Sequence, residues 1–159
     1  MSDLEGLLKR LVEREFEFVI IGGYAATAHG VTLITQDLDI CCPFTVASLM
    51  KLQAALADLH PVHRQSPRKP PLRLTPRTCR GWKNLYLETD WGVLDCIGRV
   101  KGIGDYRAAF GRSIEADFPF GQARLLGLDG LIKAKAALSE PKDKEALRQL
   151  LMIKAKQSA

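Results

Sequence analysis

Glu17-Phe18-Val19-Ile20-Ile21-Gly22-Gly23-Tyr24-Ala25-Ala26-Thr27-Ala28-His29-Gly30, continuing as Val31-Thr32-Leu33-Ile34-Thr35-Gln36-Asp37-Leu38-Asp39-Ile40-Cys41-Cys42, is the stretch on which the reading of this chain turns. Phe18 to Ile21 form a β-branched and aromatic run that stops at two glycines, the pattern of a buried strand over 17–21. Three alanines follow, so the glycines mark a strand-to-helix turn, with a helix over about 23–29 and Gly30 as its C-terminal cap. Such a turn directs free backbone N–H groups and the positive end of a helix dipole at whatever lies above it, which suits phosphate. A second strand is expected over about 36–42. Side chains two apart on a strand share a face, so Asp37 and Asp39 converge while Leu38 and Ile40 turn to the core. Paired carboxylates repel unless a cation stands between them, and Mg²⁺ carrying phosphate meets that need. A phosphate seat beside paired acids implies phosphoryl or nucleotidyl transfer.

The chain has 159 residues, the length of one domain (1–159), with a sheet-bearing core over 1–126 and helices over 127–159. Hydrophobic residues make up 47% of it, as in globular proteins, and no apolar run approaches the roughly 20 residues that cross a bilayer, so no membrane partner is expected. Met1-Ser2-Asp3-Leu4-Glu5 lacks the basic and apolar segments of an export signal, which points to the cytoplasm and to Cys41, Cys42, Cys79 and Cys96 as free thiols. His60, His63 and Cys79 do not have the spacing of a zinc site.

The net charge of +5 is unevenly spread. Arg64, Arg68, Lys69, Arg73, Arg77, Arg80 and Lys83 fall within 61–83, a segment without a single acid, and the remainder has 16 basic against 18 acidic residues. The same segment contains Pro61, Pro67, Pro70, Pro71 and Pro76, which forbid a regular helix and favour an extended, mobile or strand-edge path, with 72–74 as a short edge strand. Its functional reading is a landing surface for a polyanion; its plain reading is a solvated loop.

Elsewhere the periodicities are ordinary. Leu4, Leu7, Leu8 and Leu11 repeat at helical spacing behind Ser2 or Asp3 as N-cap, and Val46 to Leu59 form an amphipathic helix capped near Thr45. Residues 83–88 and 93–97 read as a hairpin around Asp90-Trp91-Gly92. Asp95 lies inside the second of these apolar strands, where a lone carboxylate is costly, so it requires a partner, the plain one being a neighbouring arginine or lysine. A short helix over 105–110, strands over 113–118 and 122–126, a helix over 128–138 and a last helix opening at Pro141 complete the expectation.

Gly22, Gly23, Ala25, His29-Gly30, Thr35 and Asp37-Leu38-Asp39-Ile40, then Thr89 to Asp95, then Leu128 to Asp143, resemble, in that order, the signature of the nucleotidyltransferase superfamily of the DNA polymerase β type. Within it the chain is most similar to the small bacterial branch of minimal nucleotidyltransferases and AbiEii-like toxins. The resemblance implies an α/β (α+β) nucleotidyltransferase fold: a mixed, mainly antiparallel sheet backed by helices, with C-terminal helices closing a cleft. It further implies Asp37, Asp39 and Asp95 as catalytic carboxylates holding two Mg²⁺ ions roughly 4 Å apart. Gly22, Gly23, Lys135 and Asp143 would serve the nucleoside triphosphate, ATP among the candidates, with Asp143 orienting Lys135 or the acceptor hydroxyl. The acceptors it implies are RNA, including the end of a tRNA, a protein hydroxyl, or a small molecule such as an aminoglycoside, and toxin kinship would bring an antitoxin partner. Leu33 and Glu140 stand where many relatives carry arginine. They favour the alternative, a catalytically inactive relative that binds nucleotide or RNA.

Overall fold

The computed structural model describes residues 2–158. Helix α1 (Leu4–Glu13) is followed by β1 (Val19–Ile21), α2 (Gly22–Ala28), β2 (Asp37–Cys41) and α3 (Val46–Leu56). Next come β3 (Val62–His63), β4 (Asn84–Thr89), β5 (Gly92–Ile97), β6 (Arg99–Val100), β7 (Gly104–Asp105) and α4 (Tyr106–Gly111). Strands β8 (Ser113–Phe118) and β9 (Gly121–Leu126) and helices α5 (Leu128–Ala136) and α6 (Pro141–Gln157) end the chain.

Local chemistry accounts for the element boundaries. Asp3 accepts from the Gly6 N–H at 2.8 Å, Thr45 from Ser48 at 3.2 Å and Asp105 from Ala108 at 3.1 Å, each satisfying a donor at a helix start. Pro141 begins α6, where its missing N–H costs nothing. Gly30, at φ +112°, carries the chain out of α2.

Seven strands form one sheet in the order β3-β4-β5-β2-β1-β9-β8, and β6 and β7 make a separate small pair. The pairings β1–β2, β3–β4, β4–β5 and β8–β9 are antiparallel, whereas β2–β5 and β1–β9 are parallel. The sheet is therefore mixed and mainly antiparallel, as the resemblance implies. Leu38 and Ile40 of β2, Leu85 and Leu87 of β4, and Leu94 and Cys96 of β5 are fully buried on one face. Leu7, Leu8 and Leu11 of α1 and Leu49, Leu52 and Leu56 of α3 belong to the same core and are equally buried. Each such leucine is worth about 2 kcal/mol of transfer free energy. That layer fixes which way the opposite face of β2, β4 and β5 must point. On the other side α5 and α6 pack on each other and on α2, forming a second wall over the strand-to-helix turn.

The segment 61–83 departs from expectation. Residues 72–74 form no strand; Leu72 and Leu74 are buried in the core, the Leu72 N–H donating to the Pro61 carbonyl at 2.8 Å and Leu74 exchanging bonds with the Gln53 side chain. The edge strand is β3, earlier in the segment, and Thr78–Gly81 turn as a short 3₁₀ helix with Cys79 buried beneath. Two leucines and a cysteine thus anchor a stretch that its prolines and charges made look loose. All four cysteines are free and buried, and burial pushes the Cys41 thiol up to about 12, leaving it inert at neutral pH. Among the described residues no helix is long and apolar enough to cross a membrane.

Candidate active site

Strand register builds the site. In the parallel β2–β5 ladder Asp39 stands opposite Asp95, and in the antiparallel β4–β5 ladder Asp95 stands opposite Tyr86. Alternation puts Leu38, Leu94 and Leu87 in the core, so Asp37, Asp39, Asp95 and Tyr86 share the outer face. One residue beyond β3, Arg64 donates its backbone N–H to the Tyr86 carbonyl at 3.0 Å and joins the same row. Its side chain passes over the Tyr86 ring, 5.7 Å from guanidinium carbon to centroid, and grips Asp95: Nε to Oδ1 at 3.1 Å and Nη2 to Oδ2 at 2.6 Å. The partner that a carboxylate in an apolar strand requires is this arginine.

Asp39 has no such relief. Burial, then Asp95, then Asp37 push its carboxyl up to about 7, against the weaker opposing pull of Lys135 and Lys142. Gly22 abuts it closely. At φ +67° this residue occupies the left-handed region, and a Cβ there would sit 3.0 Å from the Asp39 Cβ and 3.1 Å from its Cγ, with Oδ2 nearer still. Only glycine lets the turn lie against the acid. Gly23 has ordinary backbone geometry and faces Thr35.

These residues line a cavity of about 810 Å³, within the size range of small-ligand sites. Gly22, Gly23, Asp37 and Asp39 form one side of it, and Lys135, Lys142 and Asp143 come from the C-terminal helices. Lys135 donates to Asp143 at 3.2 Å; the two side chains are only 12% and 7% exposed, so the pair is an internal strut whose lysine is aimed by its acid. Leu33 and Glu140, the two departures from the pattern that the chain resembles, line the same cavity. Arg99, Lys101 and Lys142 also line it and restore positive charge from other elements. None of these three stands out in the sequence as a site residue. Lys142 could have been found, since it precedes Asp143 at the start of α6; Arg99 and Lys101 reach the cavity only through the β6–β7 turn, which has no sequence signature.

His29 lies away from this chemistry, its Nε2 donating to the Leu126 carbonyl at 2.9 Å and tying α2 to β9. In the basic segment Lys69 pairs with Glu88 at 2.8 Å, while Arg68, Arg73, Arg77, Arg80 and Lys83 are exposed. Trp82, also exposed, stacks on His63 with ring centroids 4.9 Å apart. Among the described residues no three His, Cys, Asp or Glu side chains stand together in a metal-holding arrangement as they lie. Arg64 takes both oxygens of Asp95, whereas the other two acids of the row, Asp37 and Asp39, line the cavity.

No family model and no curated protein matches the chain. Solved structures do. The chain is similar to ANT(2″)-Ia, determined in complex with adenylyl-2″-tobramycin, with a TM-score of 0.58 at 16% identity over 96% of this chain and 93% of that one. It is also similar to TM1012 of Thermotoga maritima, assigned as a nucleotidyltransferase, with a TM-score of 0.56 at 17% identity over 95% of each chain. At such identities the likeness establishes the fold, and the fold is that of the nucleotidyltransferases.

Proposed function

We propose that this chain transfers a nucleoside monophosphate from a nucleoside triphosphate to a hydroxyl group. The observation that carries this reading is the row Asp37, Asp39 and Asp95 on one face of β2 and β5, with Asp37 and Asp39 lining a cavity that Gly22, Gly23 and lysines also line. In the reaction the acceptor oxygen bonds to the α-phosphorus, the bond to the β-phosphate oxygen breaks, pyrophosphate leaves, and the hydroxyl proton passes to solvent. The three carboxylates present only hard oxygen donors, and the raised Asp39 carboxyl marks negative charge that lacks a counter-ion, so the residues fit Mg²⁺. When bound, Mg²⁺ supplies charge neutralisation for the triphosphate and a lower pKa for the attacking hydroxyl.

The protein's own groups do the positioning. Gly22 and Gly23 offer backbone N–H groups to the β- and γ-phosphates. Lys135, aimed by Asp143, meets negative charge as it builds, and Arg99, Lys101 and Lys142 extend the phosphate-binding wall. The exposed arginines of 61–83 and the Trp82–His63 stack favour RNA, including the end of a tRNA, over a protein or aminoglycoside acceptor, because a polyanion with stackable bases matches them. Kinship with nucleotidyltransferase toxins, and with it an antitoxin, belongs to this reading too. Leu33 and Glu140 in the cavity wall favour a second one, nucleotide or RNA binding without transfer.

The test is incubation with each α-³²P-labelled nucleoside triphosphate, Mg²⁺, and bacterial RNA plus protein extract, beside an Asp39→Ala control. Label moving to an RNA or protein band, and absent in the control, supports transfer and identifies base and acceptor class. Nucleotide binding with no label moved overturns it in favour of the non-catalytic reading.

A further inference from the structure

We propose that Arg64 is a built-in counter-ion for the third carboxylate, holding Asp95 out of the cation site until a divalent cation displaces it. The inference rests on the nucleotidyl-transfer reading and adds a control element to that same site.

Three features support it. First, the contact is two-pronged and uses both oxygens of Asp95, at 3.1 and 2.6 Å, so the carboxylate has its fork filled by the guanidinium. Second, Arg64 is a placed group. Its backbone is fixed to Tyr86, its guanidinium lies over the Tyr86 ring, and its side chain is only 25% exposed against 10% for Asp95. Third, the charge distribution is lopsided. Among the described residues neither Asp37 nor Asp39 has a salt bridge, although they share the face with Asp95. The one fixed cation in the row has gone to the most enclosed acid. A cation held by Asp39 and Asp95 together would therefore have to take Asp95 oxygens from a guanidinium already there, while Gln65, Arg68 and Lys69 beyond Arg64 are exposed to solvent.

The arithmetic is that of a competitor. If Asp95 is free for only a tenth of the time, apparent cation affinity falls about tenfold. Removing the competitor restores it.

Mn²⁺ serves as the probe, its binding read by the electron paramagnetic resonance of the free ion at pH 7.5 without nucleotide. Arg64→Gln should bind about tenfold more tightly than the unmodified chain. Arg64→Lys, which keeps the charge and loses the fork, should fall between. Lys69→Gln removes a nearby positive charge that does not touch Asp95 and measures the general field effect, expected to be under about twofold in 0.15 M salt. Asp39→Asn should abolish the tight binding in every background. Arg64→Gln binding Mn²⁺ no better than Lys69→Gln, or more weakly than the unmodified chain, overturns the proposal and makes Arg64 a support that orients Asp95. If circular dichroism finds Arg64→Gln unfolded, the comparison rests on Arg64→Lys, and equal affinity with the unmodified chain overturns it. Mn²⁺ binding that ignores Asp39→Asn in all variants sinks the cation site itself, a different failure from that of the latch.

Discussion

Replacing Gly22 by alanine should damage this protein far more than the same change one residue later. At Gly22 the backbone has φ +67°, where an L-residue costs about 1–2 kcal/mol. The new methyl would lie 3.0 Å from the Asp39 Cβ and 3.1 Å from its Cγ, with fully buried Leu38 and Ile40 on either side limiting any retreat. Overpacking of that kind costs about 1–3 kcal/mol more. The expected loss is thus about 2–5 kcal/mol, a large share of the roughly 5–15 kcal/mol that holds a domain together. At Gly23 the φ is ordinary, the methyl would meet the Thr35 side chain, its hydroxyl at 3.1 Å and its Cγ2 at 3.6 Å, and the change gains up to about 1 kcal/mol of helix propensity in α2. The two should nearly cancel. Urea denaturation followed by circular dichroism measures both, as a shift in midpoint at constant m. Gly22→Ala within about 0.5 kcal/mol of Gly23→Ala would refute the view that the turn is pressed against the carboxylate.

Three further outcomes are expected. Asp39 titrates near 3.9 in an unfolded chain and at about 7 in the folded one, so between those values the folded state holds a proton that the unfolded state has lost. Its contribution to stability therefore falls as pH rises from about 4 to 7; the difference in urea midpoint between the unmodified chain and Asp39→Asn should trace this, and excess Mg²⁺ should reverse it. Asp143→Ala strands Lys135 in a nearly buried position at a cost of about 3–5 kcal/mol, and adding Lys135→Met should recover part of that; strictly additive losses in the double-mutant cycle would count against the strut. Arg73→Gln, Arg77→Gln and Arg80→Gln together should leave the melting temperature unchanged and, at about 0.7 per charge, flatten the log–log salt dependence of single-stranded RNA binding by about 2; an unaltered slope places the nucleic acid elsewhere.

What could be read from the residues was what is local. The strand ending at Gly22, the caps at Asp3 and Thr45, Pro141 opening α6 and the Asp90-Trp91-Gly92 hairpin all depend on neighbours a few positions away. The alternation of Asp37 and Asp39 with Leu38 and Ile40 declared its two faces for the same reason. The partner of Asp95 was another matter. Its need followed from burial, but choosing Arg64 from seven cations in 61–83 required β3 to be recognised as a two-residue edge strand beside β4, and Val62–His63 is too short to announce itself. Leu72 and Leu74 misled in the opposite direction: their alternation looks like a strand, yet they are anchors that hold an otherwise polar loop to the core. The parallel pairing of β1 with β9 joins segments about a hundred residues apart, a distance over which no pattern speaks.

That long-range pairing sets an order of events during synthesis. β1 through β5 can meet once residues 19–97 have left the ribosome, and they bring Asp39 and Asp95 side by side at that stage. Lys135 and Lys142, which temper Asp39 in the finished molecule, are not yet made. Arg64 is. The half-built sheet thus arrives with its own neutralising cation, translated before the second of the acids that it accompanies, while the edge of β1, made of Val19, Ile20 and Ile21, stays open to unwanted pairing until β9 emerges.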